Sequence, residues 1–174
     1  MTTSFLIYGA GGHARVVADA IQLNGDKIVA FIDDNPAATV VNGIKVKSYD
    51  PESDKEAMLV IGIGHNSTRA KIGASVRHNT AAVIHPGAVI AADVQIGEGT
   101  VVLANAVIQT GAILGKHVIV NANVCIDHDV VIEDYCHIYP NSYIGGGAVI
   151  KAGVTIEAGS VVARNMIVEA DTKN

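Results

Sequence analysis

From Ile84 onward, every sixth residue of this chain is aliphatic: Ile84, Ile90, Ile96, Val102, Ile108, Leu114, Val120, Ile126, Ile132, Ile138, Ile144, Ile150, Ile156, Val162 and Val168. Fifteen hits in one register, without an insertion, have a chance expectation on the order of 10⁻⁸ in a chain where fewer than a third of residues are Ile, Leu or Val. A second pattern is locked to the first. Three residues after each aliphatic position stands Gly, Asn or Asp in all cases but His117 and Tyr135, the residue types that tolerate a left-handed backbone at a corner. Two residues before it the side chain is usually small, as at Ala88, Ala106, Ala112, Ser142 and Ala148. An aliphatic plug, a small neighbour and a turn residue every six predict a hexapeptide β-helix. Its narrow core would also account for a composition rich in Ile and Val yet only 4% aromatic, with no Trp and 18 Gly.

The first 80 residues keep a different rhythm. Ser4 to Tyr8 reads as a buried strand, Gly9 to Gly12 as a turn, and Ala14 to Leu23 as a helix with Val16, Val17, Ala20 and Ile21 inward, ending near Asn24-Gly25. Lys27 to Ile32 and Ala57 to Ile63 read as further strands, and Asn66-Ser67 as the cap of a helix to about Arg77. This alternation predicts a small, largely parallel, Rossmann-like α/β sheet. The expected division is 1–80 for that unit, 81–168 for the β-helix and 169–174 for a tail.

Charge and composition exclude several classes of function. With 12 basic and 17 acidic residues, a formal −5, the chain lacks the basic footprint of a nucleic-acid binder. No apolar run reaches the roughly 18 to 20 residues of a membrane span, and Met1-Thr2-Thr3-Ser4 lacks the charged start of an export signal. Two cysteines, Cys125 and Cys136, are too few for a disulfide scaffold, so the expected location is cytoplasmic.

The repeat is scaffold, and its aliphatic residues say nothing about chemistry; the chemistry lies in residues that depart from it. Gly9-Ala10-Gly11-Gly12-His13-Ala14-Arg15 sits at a strand-to-helix turn, where backbone can approach a phosphate. Asp33-Asp34 follows about twenty residues on, as a ribose-binding acid does in a nicotinamide domain, yet some 80 residues are too few for a full dinucleotide fold. His128, between Asp127 and Asp129, occupies a corner that in other repeats carries Ala104, Ala122 or Ala152. Histidine titrates near neutrality, as a general base must. Cys125 shares its slot with Val, Ile and Tyr and has no evident base, which favours packing over nucleophilic catalysis.

Tyr8-Gly9-Ala10-Gly11-Gly12-His13-Ala14-Arg15, Phe31-Ile32-Asp33-Asp34-Asn35-Pro36, Ile61-Gly62-Ile63-Gly64-His65-Asn66, Ile84-His85-Pro86, Asp127-His128-Asp129 and His137-Ile138-Tyr139-Pro140, in this order, resemble the hexapeptide-repeat sugar O- and N-acetyltransferases. That family includes sialic acid O-acetyltransferases and UDP-4-amino-sugar N-acetyltransferases. The resemblance implies a left-handed parallel β-helix, a homotrimer with sites between subunits, and acetyl-CoA as co-substrate with no metal. It assigns Gly11, Gly12 and His13 to the diphosphate and sugar, and Asp33 and Asp34 to the uracil and ribose; the alternative for the two acids is a plain turn. It makes His128 the base, oriented by Asp129, which also fills the turn slot. Asn121, His137 and Gly145, Gly146 and Gly147 would line the acetyl-CoA groove, where backbone N–H groups polarise the acetyl carbonyl. His65, His117 and Tyr135 receive no role.

The resemblance thus predicts acetyl transfer to the 4-amino group of a UDP-linked amino-deoxy sugar. Sialic acid O-acetylation and a non-catalytic nucleotide-sugar-binding scaffold are the alternatives. Outward Val89, Val107, Ile113 and Ile119 support the trimer, since a monomer would expose them. The spacing of His85, His117, His128 and His137 lacks the histidine pair and displaced third ligand of the γ-type carbonic anhydrases, so zinc is not expected. Compared with many members the repeat is about one coil short after the histidine motifs, and the tail Asp171-Thr172-Lys173-Asn174 lacks the family's usual C-terminal segment.

Overall fold

The computed structural model describes residues 2–35 and 39–170; Pro36 and the tail residues from Asp171 on lie outside them. The first unit comprises β1 (Ser4–Tyr8), α1 (Gly12–Leu23), β2 (Lys27–Ile32), β3 (Val40–Val41), β4 (Ile44–Lys47), β5 (Met58–Ile61) and α2 (Asn66–Gly73). Its five strands lie in the order β3-β4-β2-β1-β5, parallel except for the β3–β4 pair. The hairpin of β3 and β4 went unpredicted, although Val40-Val41-Asn42-Gly43-Ile44 carries a strong signal for one. Asn42 and Gly43 both have positive φ, 49° and 76°, as a two-residue turn between twisted antiparallel strands requires.

Two helix expectations need correction. On α1 the buried residues are Ala14, Val17, Ala18, Ala20 and Ile21, whereas Val16 is half exposed at 48%. Small alanines let the helix sit close to the sheet, so the inward stripe is set by size as well as apolarity. α2 starts at Asn66 with His65 as its N-cap and ends at Gly73. Asn66 is therefore not a cap. Its amide donates instead to the Gly153 and Val154 carbonyls and to Thr155 Oγ1, at 2.9, 3.2 and 3.1 Å.

From Val83 on, fifteen two-residue strands follow at six-residue intervals and stack into three five-stranded parallel sheets. Strand partners are 18 residues apart, as in Val107 with Cys125 and Ile108 with Ile126, so three hexads make one coil and the described residues make five. The first face runs from Val83–Ile84 to Thr155–Ile156, the second from Val89–Ile90 to Val161–Val162, and the third from Gln95–Ile96 to Ile167–Val168. The second residue of every strand is the repeating aliphatic, and together these residues form one continuous core with the small residues two positions before them. Twelve successive turn slots, Gly99 to Asn165, have positive φ, His117 (53°) and Tyr135 (59°) among them. The ladder is unbroken from His137–Ile138 to Thr155–Ile156.

The α/β unit covers the first face. Val83, Val101 and Leu103 are buried in one cluster with Val17, Ile21 and Phe31, each contributing about 1.5–3 kcal/mol by leaving water. This corrects the expectation for Ile119, which points outward from the coil but is only 1% exposed. Val89 and Ile113 remain open to solvent, at 64% and 39%. Among the described residues no helix is long and apolar enough to cross a membrane.

Candidate functional site

The residues singled out from the sequence fall into two groups on different edges of the chain. One lies at the corner between the second and third faces. There the Cys125–Ile126 strand ends, and Asp127, His128 and Asp129 make the turn. His128 Nδ1 is 2.8 Å from Asp129 Oδ2, while Asp129 itself holds the left-handed turn with φ 59°. Its turn role and its pairing with histidine coexist. With Nδ1–H donated to the carboxylate, Nε2 of the neutral ring carries the lone pair. The His128 side chain is 41% exposed.

Asp127 builds the frame behind it. One oxygen accepts the His128 backbone N–H at 2.8 Å and the other accepts the Tyr143 hydroxyl at 2.8 Å. Those bonds hold the Asp127 carboxyl below its ordinary range and push the Tyr143 hydroxyl up. One coil on, Gly146 lies under the imidazole, and a Cβ there would stand 2.8 Å from Nε2. At Gly145 the constraint is the scaffold: a Cβ would meet Arg164 N at 2.8 Å and Val162 O at 2.9 Å in the next coil. The Gly145 and Gly147 N–H groups donate to Val162 O and His128 O, at 2.9 and 3.0 Å. Two of the three N–H groups expected to polarise a carbonyl are therefore used within the scaffold.

The second group lies in the seam between the α/β unit and the first face. Gly11 is the N-cap of α1 and has no side-chain cap, leaving that helix's first N–H groups open at the carboxyl ends of β1 and β5. A Cβ on Gly11 or Gly12 would meet nothing within 4 Å. His13 comes next, its ring centroid 6.0 Å from that of His137. Its Nε2 is buried without a partner, and burial first, then His137 and Arg69, lower its pKa to about 4.

His137 does point out of its coil, but the α/β unit buries it to 4% exposure. Nδ1 faces the Gly64 carbonyl at 3.1 Å, Nε2 faces the Asn121 amide at 3.3 Å, and the ring stacks on Tyr139 at 3.9 Å. Burial lowers its pKa to about 4. Within one chain, then, Asn121 and His137 are not in the groove of Gly145 to Gly147; His137 adjoins His13, and Asn121 adjoins His137. The two acids are occupied by local structure. Asp33 accepts the Asn35 N–H at 3.0 Å, and Asp34 accepts the Tyr8 hydroxyl and the Tyr49 N–H. Each keeps acceptor capacity, since a carboxylate oxygen has more than one lone pair.

Sequence reasoning missed Arg69, which is 1% exposed and donates to six oxygens. Its place three residues after Asn66 on α2 is legible; its acceptors 48 and more residues away are not. It also missed Tyr143, whose ordinary place in an outward slot gives no hint of its bond to Asp127. His117 and Tyr135 stack at 5.1 Å beneath Gly73 of α2, so the two turn-slot exceptions seat the α/β unit on the coils. Among the described residues no three His, Cys, Asp or Glu are grouped as a metal site requires.

Comparison with known proteins matches both units. Residues 4–76 match the PglD N-terminal domain family, and residues 129–164 the bacterial transferase hexapeptide family, described as six repeats. A curated relative, the UDP-N-acetylbacillosamine N-acetyltransferase of Bacillus subtilis (strain 168), is 29% identical over 104 residues, covering 54% of this chain. That match spans 48% of the relative's own length, about half. A mutant perosamine N-acetyltransferase from Caulobacter crescentus, solved in complex with CoA and GDP-perosamine, is 30% identical with a TM-score of 0.81, over 97% of this chain and 89% of that one. The acetyltransferase domain of PglB from Neisseria gonorrhoeae FA1090, in complex with acetyl coenzyme A, is 29% identical with a TM-score of 0.77, over 98% of each chain. An open-edged His–Asp pair on a hexapeptide β-helix, a glycine-led helix start in a PglD-type N-terminal unit, and this agreement along nearly the whole chain lead to one conclusion: the chain belongs to the hexapeptide-repeat sugar acetyltransferases.

Proposed function

We propose that the protein transfers the acetyl group of acetyl-CoA to the amino group of a nucleotide-linked amino sugar, with the 4-amino group of a UDP-linked deoxyamino sugar as the acceptor. The observation that carries this reading is the His128–Asp129 pair, whose 2.8 Å contact leaves Nε2 with its lone pair at an accessible corner. The neutral amine attacks the thioester carbonyl carbon and Nε2 takes the proton that the nitrogen sheds. The tetrahedral intermediate then collapses, the C–S bond breaks, and the imidazolium returns its proton to the departing thiolate as free CoA. Asp129 holds the ring in the tautomer this requires and stabilises the imidazolium. No acyl-enzyme is needed. Burial pushes the Cys136 thiol up to about 11, and Cys125 is also raised, which leaves little thiolate at neutral pH.

The acceptor binds at the start of α1, where Gly11 and Gly12 expose backbone to the diphosphate and His13 meets the sugar as a neutral imidazole. Asp33 and Asp34 use their remaining acceptor capacity on the nucleoside. This acceptor site lies in the seam over the first face, whereas His128 lies at the corner between the second and third faces. A neighbouring subunit therefore completes the site, bringing Asn121 and His137 of one copy toward His128 and Gly146 of the next. A homotrimer also covers the apolar positions left open on the second and third faces, including Val161 at 75% and Ile167 at 58%. Both cysteines are free, in keeping with the reducing cytoplasm, where we place the reaction.

The test mixes purified protein with acetyl-CoA and a UDP- or GDP-linked amino sugar and follows free thiol. Turnover with the amino sugar that His128→Ala largely abolishes is the expected result. Unchanged turnover in that variant sinks the mechanism, and turnover with sialic acid alone moves the acceptor from an amine to a hydroxyl.

A further inference from the structure

We propose that Arg69 is a positioning residue for the acceptor side of the site, acting on His137 through the Gly64 carbonyl; the inference rests on the acetyltransferase reading above. The Arg69 guanidinium is buried with no carboxylate among its hydrogen-bond partners. Nη1 donates to the carbonyls of Ile63 and Gly64 at 3.1 and 3.0 Å. Nη2 donates to Asn66 Oδ1 and the carbonyls of Tyr135 and Cys136 at 2.8, 2.9 and 3.1 Å, and Nε to the carbonyl of His117 at 2.8 Å. One planar fork thus ties the loop after β5, the first turn of α2 and two successive corners of the β-helix. A lysine, with a single nitrogen, cannot span these acceptors. Desolvation lowers the Arg69 pKa to about 10, which leaves it charged at neutral pH.

The Gly64 carbonyl held by Arg69 is the one His137 Nδ1 faces at 3.1 Å. A carbonyl can only accept, so Nδ1 carries the proton. The other nitrogen meets a matching donor. Asn121 Oδ1 accepts the Ala122 N–H at 2.8 Å, which turns the Asn121 NH₂ toward His137 Nε2 at 3.3 Å and makes Nε2 the bare acceptor. Both nitrogens of His137 are therefore engaged within the protein. The residue offers substrate its ring and the stacked Tyr139, and has no N–H left to give an acetyl carbonyl. The same contacts reach the backbone of the two aromatic exceptions in the turn slots. His117 and Tyr135 hold left-handed backbone where the other slots use Gly, Asn or Asp, and their carbonyls are two of the oxygens that Arg69 requires. Strain of this kind persists where surrounding contacts over-determine it.

The decisive measurement needs no mutation. In ¹⁵N-histidine-labelled wild-type protein, long-range ¹H–¹⁵N correlation is expected to show His137 neutral and protonated at Nδ1 at pH 7 and still neutral at pH 6. An Nε2–H tautomer at pH 7, or an imidazolium at pH 6, overturns the proposal. Arg69→Lys keeps the charge and loses the fork. It is expected to raise the KM for the nucleotide sugar about tenfold, leave the KM for acetyl-CoA within about twofold, and give His137 a mixture of tautomers. A folded Arg69→Lys enzyme with the wild-type sugar KM and tautomer also overturns it. If the wild-type protein acetylates no nucleotide sugar, the proposed function fails on its own, and the His137 tautomer still decides the positioning role.

Discussion

Gly146→Ala probes the proposed base without replacing it. Gly146 is not among the glycines with positive φ, so alanine needs no strained backbone. The new Cβ would stand 2.8 Å from His128 Nε2, 3.0 Å from Cε1 and 3.3 Å from Cδ2. Since ordinary contact begins at 3.4 Å, the ring must recede by at least 0.6 Å at Nε2, the gap between that limit and 2.8 Å. The side chain is 41% exposed and has room to swing, so the fold absorbs the methyl while the base leaves its line of attack. Misplacement by about 1 Å costs a reaction on the order of 10²-fold. The expected loss in kcat is therefore about 10- to 100-fold, or about 1.4–2.7 kcal/mol of transition-state stabilisation. Thiol release under saturating acetyl-CoA and nucleotide sugar measures it, with thermal unfolding alongside and a melting temperature expected within about 2 °C of wild type. Wild-type kcat in a folded Gly146→Ala protein would refute the placement of Nε2 as proton acceptor.

Other perturbations separate roles that coincide in one residue. Asp129→Asn keeps a side chain suited to the left-handed turn at φ 59° but removes the charge, so stability should hold while kcat falls about tenfold; a large fall in melting temperature would make the turn its main role. His128→Asn should lower kcat by about 10²- to 10⁴-fold with the oligomer intact, read by the same thiol assay and by light scattering. Val161→Glu, on the open second face, should prevent the proposed trimer from forming and abolish turnover together; a fully active monomer would refute the shared site. His13 and His137 are held near a pKa of about 4 against an ordinary 6.5. Both are neutral in the fold, so between those values the unfolded chain binds more protons. Their contribution is complete above about pH 6.5 and is lost as pH falls toward 4. Urea midpoints should therefore drop from pH 7 to pH 5, and equal midpoints would refute the neutral pair.

The repeat was fully legible because it is local arithmetic: an aliphatic residue every six and a turn residue three later fix each strand, each corner and the 18-residue coil. The corner position of His128 followed directly, since the departure and the rule it breaks lie in the same hexad. Legibility weakened where size or distance decided. Val16 was expected inside and Ala18 was not, because apolarity alone does not say which residue permits close helix packing. The hairpin at Asn42-Gly43 was announced by its turn residues but flanked by strands too short for periodicity to reveal. His137 was correctly expected to leave its coil, but what it would meet outside depends on a domain that begins more than a hundred residues earlier.

By itself, the sequence determined the β-helix, its register, the glycine-led turn and the histidine corner, because each depends on contacts within one coil or one strand–turn–helix unit. The tertiary structure alone decided that the α/β unit covers the first face, that His137 is buried beside His13, and that Arg69 joins α2 to the coils. It also set the seam that holds His13 and the corner that holds His128 on different edges of a single chain. Those outcomes rest on contacts between residues 48 to 124 positions apart, set by how two folded surfaces fit. No periodicity along the chain encodes such a fit.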